Sequence, residues 1–208
     1  PAVLNKLAFV ELALGNRPRA LEHLKAAAAL RPDFPEAHIN YGVLLTDAED
    51  YEAAVRELEL AVRYAANSAQ AHLNLGNAYR GAKQFEKAQK SYERALTLDP
   101  KLADAYFNLG VLHLDAEKPG VPALNRLEEA LAYFDKFATA GGADPKLTKY
   151  QRDATIAIEK EKKRLEREQR DQLKKGANPN APPVAKTPAK GGKLAEDPPA
   201  APVGKKEK

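Results

Sequence analysis

The chain has 208 residues, of which 44% are hydrophobic and 30% charged, and a formal net charge of +4. That fits one soluble body of ordinary size with an appendage. No apolar run approaches the roughly 20 residues needed to cross a bilayer, so the sequence does not read as a membrane protein. The absence of cysteine removes disulfides, thiolate metal sites, iron–sulfur clusters and cysteine nucleophiles, yet leaves the compartment open. Pro1 and the lack of methionine read as a chain that starts inside a longer precursor or after processing.

Along the chain the organising signal is repetition. Gly42, Gly76 and Gly110 recur every 34 residues. Asn40, Asn74 and Asn108 share that interval, as do His38, His72 and Tyr106, and Ala20, Ala54 and Ala88. Stepping back from Gly42 reaches Ala8, so four units are expected, at about 1–34, 35–68, 69–102 and 103–145. Each reads as two helices. In the third, Ala71, Leu75, Ala78 and Tyr79 mark one apolar stripe, and Ala88, Tyr92, Ala95 and Leu96 mark another over Phe85 to Leu98. Pro100 ends the second helix, because proline lacks the backbone donor and restricts the residue before it. Gly76 and Ala88 are expected to face each other across the hairpin, which makes Ala88→Leu a destabilising change.

The fourth unit departs from the pattern after Leu114. The alanine expected at position 122 appears as Ala130, followed by Phe134 and Phe137, so an eight-residue insertion near 115–122 separates its helices. Pro119, Gly120 and Pro122 mark that insertion as a loop with room for a contact role. After Gly141 and Gly142, Asp144-Pro145 opens a further helix over 146–175. Leu147, Tyr150, Ala154, Ala157 and Ile158 give it an apolar stripe able to cap the last unit. From Glu159 to Lys175, 13 of 17 side chains are charged, with Glu159/Lys163, Glu166/Arg170 and Asp171/Lys175 at helical pairing distance. Leu165 and Leu173 are too sparse for a coiled-coil seam. Seven prolines in 176–208, mixed with Ala, Lys and Gly, read as a disordered tether.

Charge follows the same divisions. Residues 1–145 carry 16 basic and 20 acidic side chains, 146–175 carry 11 and 6, and 176–208 carry 6 and 3. A weakly acidic body with a basic extension differs from a uniformly basic nucleic-acid binder.

The run His72-x-x-Leu75-Gly76-x-x-Tyr79, then Ala88, Tyr92, Ala95 and Pro100, resembles the tetratricopeptide repeat. The resemblance implies an all-α, right-handed solenoid of four helical hairpins. Its first helices would line a concave groove for a peptide or partner protein. Transferred by resemblance, the groove shows Asn5 and Phe9, then Ile39, Asn40 and Val43, then Leu73, Asn74, Asn77 and Arg80, then Phe107, Asn108 and Val111. The asparagines could hold a ligand backbone through paired amide bonds, or satisfy neighbouring backbone instead. Phe9, Ile39, Leu73 and Phe107 could supply apolar pockets, or belong to the core. Arrays that clamp chaperone C-terminal carboxylates have basic groove positions where this chain has Ile39, Leu73 and Phe107, and Glu36, Gln70 and Asp104, which disfavours such a ligand.

A catalytic reading finds no constellation. His38 and His72 occupy a repeated packing site, the other histidines are His23 and His113, and the only serines are Ser68 and Ser91. No metal-binding or phosphate-binding motif occurs, so no cofactor is expected. The acidic pairs Glu49-Asp50 and Glu128-Glu129 lie near helix starts and read as structural. A second partner class, nucleic acid or an anionic lipid surface, would use Lys160, Lys162, Lys163, Arg164, Arg167, Arg170, Lys174 and Lys175, but five interspersed acids dilute that field. The charged helix and Pro/Ala/Lys segment are similar in texture to envelope and gliding-motility tetratricopeptide proteins of deltaproteobacteria. That resemblance implies a bacterial periplasmic or envelope setting, with the cytoplasm as the alternative.

Overall fold

The computed structural model describes residues 1–115 and 121–176. Among the described residues the elements are all helical: α1 Ala2–Ala13, α2 Arg17–Leu30, α3 Pro35–Asp47, α4 Tyr51–Tyr64, α5 Ala69–Gly81, α6 Phe85–Leu98, α7 Ala103–Asp115, α8 Ala123–Thr139 and α9 Leu147–Gly176. Consecutive helices pack as antiparallel pairs, and each first helix also touches the next, α1 on α3, α3 on α5 and α5 on α7. This is the helical solenoid of the repeat reading. Most of the expected insertion, and the tether after Gly176, lie outside the described residues.

The repeat is written into the backbone at its turns. Gly15, Glu49 and Lys83, 34 residues apart, all take positive φ. In each case the next residue's N–H reaches five residues back: Asn16 to Glu11, Asp50 to Leu45 and Gln84 to Tyr79. This is a Schellman-type closure of the first helix, which satisfies its terminal carbonyls. Asp50 and Ser68 then cap α4 and α5, accepting from Ala53 N and Ala71 N at 3.3 and 3.2 Å.

Packing within the second, third and fourth hairpins depends on one glycine each, where the first has Ala8. A Cβ on Gly42 would lie 2.4 Å from Leu58, one on Gly76 2.4 Å from Tyr92, and one on Gly110 2.5 Å from Phe134. The residue facing Gly76 is therefore Tyr92, one turn beyond the expected Ala88. Alanine at position 88 is still required to be small, because it is fully buried. The covering residue lies sixteen positions after the glycine in the second and third hairpins and twenty-four after it in the fourth. The eight-residue insertion thus leaves the packing register intact.

The histidines of the repeated site also have a plain duty. His38 Nε2 lies 2.9 Å from Pro32 O, His72 Nε2 3.0 Å from Ala66 O, and Tyr106 donates its hydroxyl to Pro100 O at 3.1 Å. Each reaches six residues back and ties the start of a hairpin to the turn that precedes it. Two further contacts involve the acids read as structural. Asp50 is the α4 cap, and Glu129 lies 3.0 Å from Nδ1 of the buried His113. Arg126 donates to the carbonyls of His113 and Leu114, closing the end of α7.

The first part of α9 covers the fourth hairpin. Ala154 and Ile158 are buried, while Leu147 and Tyr150 pack with Phe107, Leu131 and Phe134. Gln151 donates to Asp135, and Lys162 lies 3.3 Å from Glu128. Farther along, Arg164 pairs with Glu161, three residues back, and its hydrogen bond holds that carboxyl below the usual range. Neither contact involves the expected pairs Glu159/Lys163 and Glu166/Arg170. The expected Asp171/Lys175 pair falls outside the described side chains.

Candidate functional site

Residues from the first helices gather into two cavities. The first, about 150 Å³, is lined by Phe9, Leu12, Asn40, Val43 and Leu44, with Arg17 and Asp47 at its edge. Arg17 and Asp47 meet at 2.9 Å. Phe9 is 53% exposed, which gives this cavity an accessible aromatic wall. The second, about 510 Å³, is lined by Thr46, Asn77, Arg80, Asn108 and Asp115 from the first helices, with Tyr51, Gly81, Lys83 and Phe85. It is the more polar of the two in its chemistry: two cations, one carboxylate, two amides and two aromatic rings.

The asparagines prove to be bonded to one another between hairpins. Asn40 Nδ2 donates to Asn5 Oδ1 at 2.9 Å, and Asn108 Nδ2 donates to Asn77 Oδ1 at 3.0 Å. Asn77 Oδ1 also accepts from the hydroxyl of the fully buried Tyr92 at 2.9 Å, and Asn74 Oδ1 accepts from Gln70 at 3.3 Å. Burial pushes the Tyr92 phenol up to about 12, against the opposing pull of Arg80. The amides thus form rungs between successive first helices, and a ligand would meet only the capacity these bonds leave over.

The apolar series divides. Phe9 and Val43 line the first cavity and are exposed. Ile39 is half-buried and borders neither cavity. Leu73 and Val111 are only 3% and 4% exposed, so they are core residues and present no pocket. Phe107 is half-buried and held at 5.1 Å from the ring of Phe137, 5.6 Å from Tyr150 and 5.8 Å from Phe134. Phe134 and Phe137 of α8 and Tyr150 of α9 thus surround it. Asn5, Asn74 and Val111 also border neither cavity. Of the series Phe9, Ile39, Leu73 and Phe107, only Phe9 lines either cavity, and the cavity lining among the expected residues is Phe9, Asn40, Val43, Asn77, Arg80 and Asn108.

The sequence reading missed Thr46, Tyr51, Lys83, Phe85 and Asp115 as lining residues. Two signals for them were present. Tyr51 and Phe85 are aromatic at the same point of successive repeats, and Thr46 stands 34 residues before Arg80. Gly81 admits the Tyr51 ring, since a Cβ there would lie 2.1 Å from it. Arg80 is held 3.6 Å from Asp115, which leaves Lys83 as the cation of this cavity with no carboxylate paired to it among the described residues. No group of three or more His, Cys, Asp or Glu able to hold a metal occurs among the described residues.

Comparison with known proteins gives the same architecture. Residues 11–78 match a tetratricopeptide-repeat model and residues 76–116 match a second tetratricopeptide-repeat model. No curated protein matches the sequence. Among solved structures, MamA residues 41-end from Desulfovibrio magneticus RS-1 is 26% identical, with 66% of this chain and 73% of that chain covered and a TM-score of 0.58. A second MamA crystal structure, at 17% identity, covers 87% of this chain and 97% of that one with a TM-score of 0.62. The first tetratricopeptide domain of Spaghetti (RPAP3), solved with the HSP90 peptide SRMEEVD, is 22% identical, with 54% of this chain and 90% of that chain covered and a TM-score of 0.52. At such identity the latter two speak to fold alone. With the 34-residue period, the glycine-centred hairpins and the matches over 11–116, the chain belongs to the tetratricopeptide-repeat family.

Proposed function

We propose that the chain is a non-catalytic protein-interaction scaffold that holds a peptide or partner protein along the surface of its first helices. The repeat family supports the scaffold role in general. The observation that carries the finer reading is convergence: Phe9, Asn40 and Val43 from α1 and α3 meet in one cavity, while Asn77, Arg80 and Asn108 from α5 and α7 meet in the other. A bound segment would set an apolar side chain against Phe9 and Val43 and a polar or acidic group near Arg80 and Lys83. Affinity capture with the intact chain beside a Phe9→Glu/Arg80→Glu variant tests it. At least one partner lost by a variant that keeps its helix content supports the reading, and a partner set retained in full by the variant removes it. Substrate panels should show no turnover above background. A bacterial-envelope or motility setting is carried as part of the proposal on the texture of the C-terminal third, and cell fractionation that finds the protein only in the cytosol removes that part.

A further inference from the structure

A basic cleft lies on the third hairpin and shares no residue with the two cavities above. Lys87, Lys90 and Arg94 are three and four residues apart on α6, so they occupy one helix face. With His72, Leu75, Tyr79 and Ser91 they line a cleft of about 290 Å³. Leu75 and Tyr79 are buried and form its floor. The Tyr79 hydroxyl donates to Glu59 at 2.5 Å, and Lys87 Nζ stands 5.3 Å over the Tyr79 ring. That leaves Lys90 and Arg94 as exposed cations with no carboxylate paired to them among the described residues. The acid nearest along the helix, Glu93, accepts instead from Gln89 at 2.7 Å, and after burial it is the next cause that raises the Tyr133 phenol on α8. Ser91 is 8% exposed. Thr97, Thr139 and Thr155 bond back to carbonyls four residues earlier, whereas the Ser91 hydroxyl has no such bond among the described residues.

We propose that this cleft docks an acidic peptide segment of a partner protein. One apolar side chain would rest on Leu75, carboxylates would meet Lys90 and Arg94, and the Ser91 hydroxyl would bond the segment's backbone or a carboxylate. Other polyanions fit less well. The Tyr79 ring is buried beneath Lys87, so it offers no face for a base to stack on. None of the exposed large apolar side chains borders the cleft, so nothing there would enter a lipid surface. The inference stands independently of the proposed ligand of the first-helix surface.

Fluorescence anisotropy of a labelled Glu-Leu-Glu-Glu-Leu-Glu peptide with the full chain tests it, using Lys90→Glu/Arg94→Glu beside Lys25→Glu/Lys101→Glu, an equal charge reversal at exposed lysines outside the cleft and both cavities. The expected result is saturable binding that weakens with salt, falls by at least about tenfold in the first variant, and stays within about twofold of the parent in the second. Both positions of the first variant are exposed, and circular dichroism checks the fold. Should charge reversal unfold the hairpin, Lys90→Ala/Arg94→Ala gives the same comparison. Absence of saturable binding to the folded parent chain overturns the proposal, as does an equal loss in both variants. Tighter binding of an oligothymidylate with the same dependence on Lys90 and Arg94 also overturns it, by assigning the cleft to nucleic acid.

Discussion

At the scale of single residues, the turns that define the repeat are built with unequal ease. Gly15 takes φ 79 without cost, while Glu49 and Lys83 hold φ 61 and 58 with side chains that crowd the backbone in that region. Glu49→Gly should therefore stabilise the chain, by about 1 kcal/mol less the entropy that glycine adds to the unfolded state, and chemical denaturation measures it. Tyr92 supplies a second expectation. Its phenol is fully buried, gives its proton to Asn77, and titrates near 12 in the folded chain against 10.0 when unfolded. Because the folded value is the higher one, its contribution is whole below pH 10 and is lost as pH rises towards 12. Alkaline unfolding should begin in that window, and Tyr92→Phe should flatten the pH dependence there while lowering neutral stability through loss of the Asn77 bond. The same bond shows why the asparagines were hard to read from sequence. An amide at a repeated position is equally suited to a ligand and to its counterpart 31 to 35 residues away, and only coordinates reveal that Asn5, Asn40, Asn77 and Asn108 bond one another.

At the scale of helices, much was legible because the period, proline punctuation and apolar spacing all point to the same boundaries. Phe85 to Leu98 came out as α6 without a shift. What was illegible depends on neighbours that no local pattern encodes. Leu73 and Phe9 are both apolar residues on first helices, yet one is covered by adjoining hairpins and the other is open. Phe107 packs on Phe134 and Phe137 of α8 and also on Tyr150 of α9, which lies more than forty positions along the chain. Tyr150→Ala should accordingly cost about 3 kcal/mol in the fourth hairpin, somewhat less for the part of the ring that is already wet. The measurement is the loss of cooperativity in thermal melts, with quenched fluorescence of the aromatic cluster as a local probe.

At the scale of the whole described array, cover is uneven. α1 buries only Ala8 and leaves Val3, Leu7, Phe9 and Val10 exposed, whereas α5 buries Ala71, Leu73, Leu75, Gly76, Ala78 and Tyr79. Stability in such arrays is close to a sum of unit and neighbour terms, so the less covered end opens first. Hydrogen exchange should show amides of α1 and α2 exchanging fastest among the eight paired helices and those of α5 and α6 slowest. Uniform protection across all four hairpins would contradict that ordering.

Among the described residues, the helix contacts run between each hairpin and those beside it. Stretched along its four hairpins, an array connected in this way shows, among the described residues, no distant clasp whose rupture would release everything at once. Tension therefore peels off one pair of helices at a time, the weakest first, and each detached pair lengthens the tether while its neighbours go on holding their shape.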